Sequence, residues 1–160
     1  MTVDGVHFRT YESRKKPTAK VYSHKSNGPA MTYEIAIAIH ESRVLAINGP
    51  FDASKPDITI FREELSDAMP EGKRGIGDSG YQGEPTKLSI HRSAHSKEMT
   101  NFINRVRARH ENFNARIKNF SILSNCFRSN DKIKHKMAFE AVCILCQYDM
   151  ENGHPLMDVA

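Results

Sequence analysis

From Tyr33 to Ile39 a bulky apolar side chain stands at every second position, with Glu34, Ala36 and Ala38 between them. That period of two belongs to a β-strand, and the apolar run from Ile35 to Ile39 suits a buried one. After a polar break at 40–43, Val44 to Ile47 repeats the pattern, predicting an antiparallel hairpin that ends at Asn48-Gly49-Pro50. A chain with such a hairpin must build a sheet and must cover it.

The cover is legible as helices. Between Ser93 and Phe120, Met99, Phe102, Ile103, Val106, Phe113, Ile117 and Phe120 fall within an arc of roughly 100° at helical pitch. A final helix from Asp131 to Tyr148 is expected to bury Ile133, Met137, Val142, Ile144, Leu145 and Tyr148. A third starts at Ser54-Lys55-Pro56-Asp57, with Ser54 as cap, and runs to Met69. Shorter strands are expected at Thr2 to Phe8, Arg74 to Asp78 and Lys87 to Ile90, with a loop from Tyr11 to Pro29. The order β, ββ hairpin, α, β, β, α, α predicts a mixed α/β fold, a three-layer arrangement of a central sheet flanked by helices. With 160 residues there is room for one such domain, taken as 1–150, and a frayed tail at 151–160.

No apolar run approaches the roughly 20 residues that span a bilayer, and the opening Met-Thr-Val-Asp is not a secretory leader, so an intracellular protein is expected. Three cysteines form no disulfide framework; Cys143 and Cys146 sit in an apolar helix and read as core thiols rather than zinc ligands. The net charge of +4 allows an anionic partner.

Three acids stand out by position. Asp4 lies inside a strand with apolar neighbours, where a charge is costly unless it faces a site. Asp78 ends a strand just before the turn Ser79-Gly80-Tyr81. Glu111 lies mid-helix and shares a face with Arg107 and Lys118, while Arg105, Arg109 and Arg116 form a second basic stripe. Converging carboxylates are what a hard divalent cation needs, and two such ions are suited to phosphodiester chemistry. Each feature also has a plain structural reading: an edge residue, a turn, an Arg107–Glu111 surface ion pair.

Taken together, Val3-Asp4-Gly5-Val6-His7, Gly77-Asp78-Ser79-Gly80-Tyr81 and the Arg107, Glu111, Lys118 helix resemble the DDE endonuclease domain of Harbinger/PIF-like and related insertion-sequence transposases. Gly49-Pro50-Phe51 and Pro56-Asp57-Ile58-Thr59-Ile60-Phe61-Arg62 add to the resemblance, which runs from Val3 to about Phe127. Where related insertion-sequence enzymes place a Tyr three residues before the Arg, this chain has Asn104.

The resemblance implies an RNase H-like fold in which Asp4, Asp78 and Glu111 are the catalytic, metal-binding acids. It implies Mg²⁺ or Mn²⁺, two ions, and nicking and joining of DNA at transposon ends and target. Arg107, Lys118 and Arg109 are expected at the DNA, with Asp57 as an accessory acid. It further implies a nuclear location, a homodimer, and a separate DNA-binding partner protein. Only three residues precede Asp4, so a chain shortened at its N-terminus is expected. A second reading stays open: a catalytically inactive, domesticated remnant that binds DNA or protein through the same fold.

Overall fold

The computed structural model describes residues 1–11, 19–90, 96–129 and 131–159. Strand β1 (Thr2–Arg9) lies antiparallel to β3 (Gly28–Ile37), which also pairs with β4 (Val44–Asp52) and with the two-residue β2 (Tyr22–Ser23). On its other side β1 meets the short β5 (Gly75–Ile76) in parallel, and β5 pairs with β6 (Leu88–Ser89). The result is a six-stranded mixed sheet. Four α-helices stand among the described residues: α1 (Asp57–Glu64), α2 (Lys97–Lys118), α3 (Ser121–Ser124) and α4 (Lys132–Glu151).

The alternation along β3 divides its neighbours. Tyr33, Ile35 and Ile37 join Val6 and Phe8 in a core shared with Phe113 and Ile117 of α2 and Phe139, Val142, Cys143 and Cys146 of α4. Ala36, with Val3, packs instead against Phe61 of α1, Leu65 and Tyr81. The sheet is therefore the middle of three layers, as the order of elements predicts.

Several expectations need correction. The α1 helix begins at Pro56-Asp57 with no side-chain cap; Ser54 lies in the preceding turn, its amide donating to the Lys20 carbonyl. The hairpin does not end at Asn48, because a bulge opposite Thr32 and Glu34 absorbs Gly49-Pro50 and lets β4 run on to Asp52. The expected loop from Tyr11 holds β2 and the start of β3, with residues 12–18 outside the described set. The start of α2 expected at Ser93 also lies outside it, and Ser96 caps the helix by accepting from the Met99 amide at 3.1 Å.

The largest correction concerns α4. His135, Phe139, Val142, Cys143, Cys146 and Met150 form its buried face, whereas Ile133, Met137, Ile144, Leu145 and Tyr148 are exposed. Both faces of this helix are apolar, so periodicity alone has no means of choosing between them.

The tail packs against α2. Leu156 and Val159 are buried, and the basic stripe of α2 holds the backbone that carries them. Arg105 donates to the Val159 carbonyl, Arg109 to Met157, and Arg116 to His154 and Pro155.

Candidate functional site

The pairing of β1 with β5 is a single parallel step, Thr2 opposite Ile76. Two residues beyond it on each segment stand Asp4 and Asp78, and a step of two keeps a side chain on the same face. One short parallel contact therefore brings two acids that are far apart in sequence to the same level of the sheet.

Helix α2 supplies the third. His110 faces Thr2, Nδ1 to Oγ1 at 3.4 Å, and Asn114 Nδ2 donates to Asp4 Oδ2 at 2.8 Å. A helical step of four residues and a strand step of two both advance about 6 Å, so α2 runs in register alongside β1. Glu111 lies between these two contacts. The outcome is a cleft of about 110 Å³ whose lining includes Asp4, Asp78, Arg107, His110 and Glu111.

Local structure fixes the two aspartates. Asp4 Oδ1 accepts from the Gly5 amide at 2.9 Å, and Asp78 Oδ1 accepts from the Gly80 amide at 2.7 Å, capping the 3₁₀ turn Ser79–Tyr81. Glu111 is exposed, and the expected surface ion pair with Arg107 is not formed among the described residues. Both side chains stand free at the cleft.

The glycines of the two motifs have a steric reason. A Cβ on Gly5 would overlap Asp57 Oδ1, and one on Gly80 would come within 2.9 Å of Asp57 Oδ2 and 3.0 Å of Asp78 Oδ1. Asp57, the first residue of α1, thus threads between the residue after Asp4 and the turn that carries Asp78. Its Oδ2 meets Lys25 Nζ at 3.2 Å.

The field at this spot is strongly negative. Burial first, then Asp78 and Asp57, push the Asp4 carboxyl up from 3.8 to about 6, against a smaller opposing pull from Lys25 and the Gly5 amide. Behind it Glu34, paired with Gly5 across the sheet, is raised to about 7, chiefly by burial, although Asn48 Nδ2 donates to it at 3.3 Å. Burial holds the Tyr81 hydroxyl in its neutral form, and the charges of Glu34, Asp57, Asp4 and Asp78 reinforce this.

Hard oxygen donors in a desolvated, repulsive group suit a divalent cation, which would relieve the repulsion. Among the described residues, no three His, Cys, Asp or Glu side chains are gathered tightly enough to hold one ion as they stand. Asp4, Asp78 and Glu111 open on one space without closing around a point.

A larger groove of about 530 Å³ adjoins the cleft, sharing Asp4 and Glu111 with it. It follows β1 beyond Thr2, where β5 no longer pairs, and Arg9, Lys25 and Lys118 line it.

Of the expected DNA contacts, Arg107 and Lys118 reach these two spaces, and Arg109 does not. Arg109 is 2% exposed, and its guanidinium donates to the carbonyls of Met157, Ala38 and Glu41. It ties α2 to the end of β3 and to the tail, and buried there it lines neither the cleft nor the groove. His7 lies on the α1 side of β1 and meets Ser23 and Thr32, as its parity with Asp4 predicts. Burial lifts the Cys143 and Cys146 thiols to about 12 and about 11, in keeping with core cysteines. His91 and Arg92, basic positions in the sequence, lie outside the described residues.

Sequence reasoning missed Asn114, Glu34 and His110, whereas Lys25 reads in the sequence only as a basic loop position. Asn114 had a signal, for it stands three residues after Glu111 on the same helix face. Glu34 had the one that marks Asp4, a carboxylate inside an apolar strand. Nothing local marks His110.

No curated protein and no solved structure matches the chain. The sequence model of one family, described as DDE superfamily endonuclease, matches residues 3–147 and so takes in Asp4, Asp57, Asp78 and Glu111. The chain belongs to the DDE superfamily of endonucleases.

Proposed function

We propose that this chain is the catalytic domain of a DNA-nicking transposase-type nuclease, with Asp4, Asp78 and Glu111 as its metal-binding acids. The observation that carries the proposal is their shared lining of one cleft, reached from a strand, a turn and a helix. When bound there, Mg²⁺ or Mn²⁺, in a pair of ions, supplies Lewis-acid activation of an attacking oxygen and charge relief at the leaving one.

The chain's own residues do the rest. The Gly5 and Gly80 amides and Asn114 fix the two aspartates in rotation, while Glu111, free of Arg107, swings in to complete the set. Asp57 acts as an accessory acid through Asp4 and Asp78. Arg107 at the cleft and Lys118 and Lys25 along the groove hold the phosphates of the strand being cut. The same reading carries an RNase H-like topology, a Harbinger/PIF-like affiliation, nuclear residence, transposon-end and target DNA, and a separate DNA-binding partner protein.

A second reading, an inactive remnant that binds DNA or protein, is favoured by one observation: the carboxylates are not drawn together. Plasmid nicking separates the two. The chain in Mn²⁺ converts supercoiled to open-circular DNA, and Asp78→Asn, with matched circular dichroism, loses at least about a thousandfold in rate, as loss of a catalytic group does. Equal nicking by the variant removes the assignment, and no nicking by either protein selects the remnant.

A further inference from the structure

The cleft and the groove divide the polar groups between them. Asp78 lines only the cleft, Asn114 lines only the groove, and Asp4 and Glu111 line both. Asn114 is 8% exposed and uses half of its amide. Its Nδ2 donates to Asp4 Oδ2 at 2.8 Å, and its Oδ1 accepts no hydrogen bond among the described residues.

The neighbour decides which way the amide faces. An ionised carboxylate only accepts, so the nitrogen turns to Asp4, and the flipped amide would set oxygen against oxygen. The carbonyl oxygen is left buried without a donor, although Lys25 and Lys118 line the same groove. A buried carbonyl in that state is costly and calls for a task of its own.

Position and chemistry select a cation as that task. Asn114 follows Glu111 by three residues on α2, so the two side chains are neighbours on one helix face. Side-chain carbonyls are hard oxygen donors of the kind that Mg²⁺ and Mn²⁺ take beside carboxylates. The acids by themselves do not close around a point. A further carboxylate would add to the repulsion that Asp78 and Asp57 already exert on Asp4, whereas an amide adds an oxygen without a charge.

We propose that Asn114 Oδ1 is a ligand of the second divalent ion, on the groove side of Asp4 and Glu111, with the first ion on the cleft side toward Asp78. The assignment rests on the nuclease reading and adds to it a neutral ligand outside the three acids. One amide then serves twice: its nitrogen steadies Asp4, and its oxygen takes the ion.

Mn²⁺ titration of the full chain, followed by calorimetry and electron paramagnetic resonance, is the test. The parent should take up two ions and at saturation show the spectrum of a spin-coupled pair about 4 Å apart. Asn114→Ala should weaken the second ion at least about tenfold and leave an uncoupled, single-ion spectrum. Asn114→Asp separates the two halves of the amide, because it keeps an oxygen at this place and has no N–H to give Asp4; it should bring the coupled pair back. A coupled pair of parental affinity in Asn114→Ala overturns the proposal. So does an Asn114→Asp chain no better than Asn114→Ala, which reduces Asn114 to a support for Asp4. A parent that holds one ion also overturns it and leaves the nuclease reading in place, whereas a parent that binds no Mn²⁺ removes both.

Discussion

Helices α2 and α4 pack on the same face of the sheet, are of similar length, and use their surfaces in opposite ways. Helix α2 buries polar groups: Arg109, His110 and Asn114 lie beside Ile103, Val106, Phe113 and Ile117 on its inner side. Helix α4 buries an apolar face and leaves a second apolar face open. Buried polarity is tolerated only where every group has a partner or a task, and exposed apolarity signals surface still to be covered. The polar helix therefore builds the site and anchors the tail, and the apolar one has contact area to spare for another molecule.

The contrast breaks most readily at α4. Phe139 is buried against Phe8 and Tyr33, and Phe139→Ala should lose about 4 kcal/mol of unfolding free energy. Ile144→Ala on the outer face, measured in dilute solution, should change it by less than about 0.5 kcal/mol. Comparable losses at the two positions would mean that the faces are assigned the wrong way round.

On α2 the next largest effect belongs to Arg109. Replacing it with Met strands the carbonyls of Ala38, Glu41 and Met157 without a donor. About 3 kcal/mol should be lost, a fall in melting temperature of roughly 6–12 °C. Arg107→Ala, two residues away at the cleft, should stay within about 0.5 kcal/mol in the same thermal melt. Its consequence should appear in DNA binding instead.

Much of this difference was legible in the sequence, and the illegible part has a physical cause. The α2 stripe is recoverable because charged residues border it on both flanks, although Met99 proves half exposed and three polar residues complete the buried side. In α4 the apolar residues were legible and the face they bury was not, since a helix with two opposite apolar faces gives periodicity nothing to choose by. The acids Asp4, Asp78 and Glu111 could be picked out by position and motif; the pairing of Thr2 with Ile76 that unites the aspartates, and the docking of α2 that adds Glu111, are tertiary contacts that no local signal carries. Arg109 was misread for a similar reason. A guanidinium on a basic stripe looks like a phosphate contact until the carbonyls it satisfies, from residues 38, 41 and 157, are in place.

A pH-dependent effect of similar size tests whether buried polarity on the other side of β1 belongs to the same site. Glu34 is raised from 4.5 to about 7 by burial, so the folded chain keeps this proton to higher pH than the unfolded chain does. Ionisation penalises the native state progressively from pH 4.5 to 7 and fully above it. Glu34→Gln should therefore match the parent below pH 4.5 and exceed it by up to about 3 kcal/mol above pH 7, in denaturant melts across that range. A gain independent of pH would separate Glu34 from the charged cluster around Asp57 and Asp4.

The central claim is that Asp4, Asp78 and Glu111 act as one set on a shared divalent cation, and thermal melting with and without Mn²⁺ tests it most directly. At about a hundredfold excess over its Kd the ion should stabilise the parent chain by about 2.7 kcal/mol, a rise of several degrees. Asp78→Asn should melt no lower than the parent without metal, because Asp4 loses a repelling neighbour, and should lose the Mn²⁺ shift. An equal shift in both proteins, or none in the parent, would contradict the account.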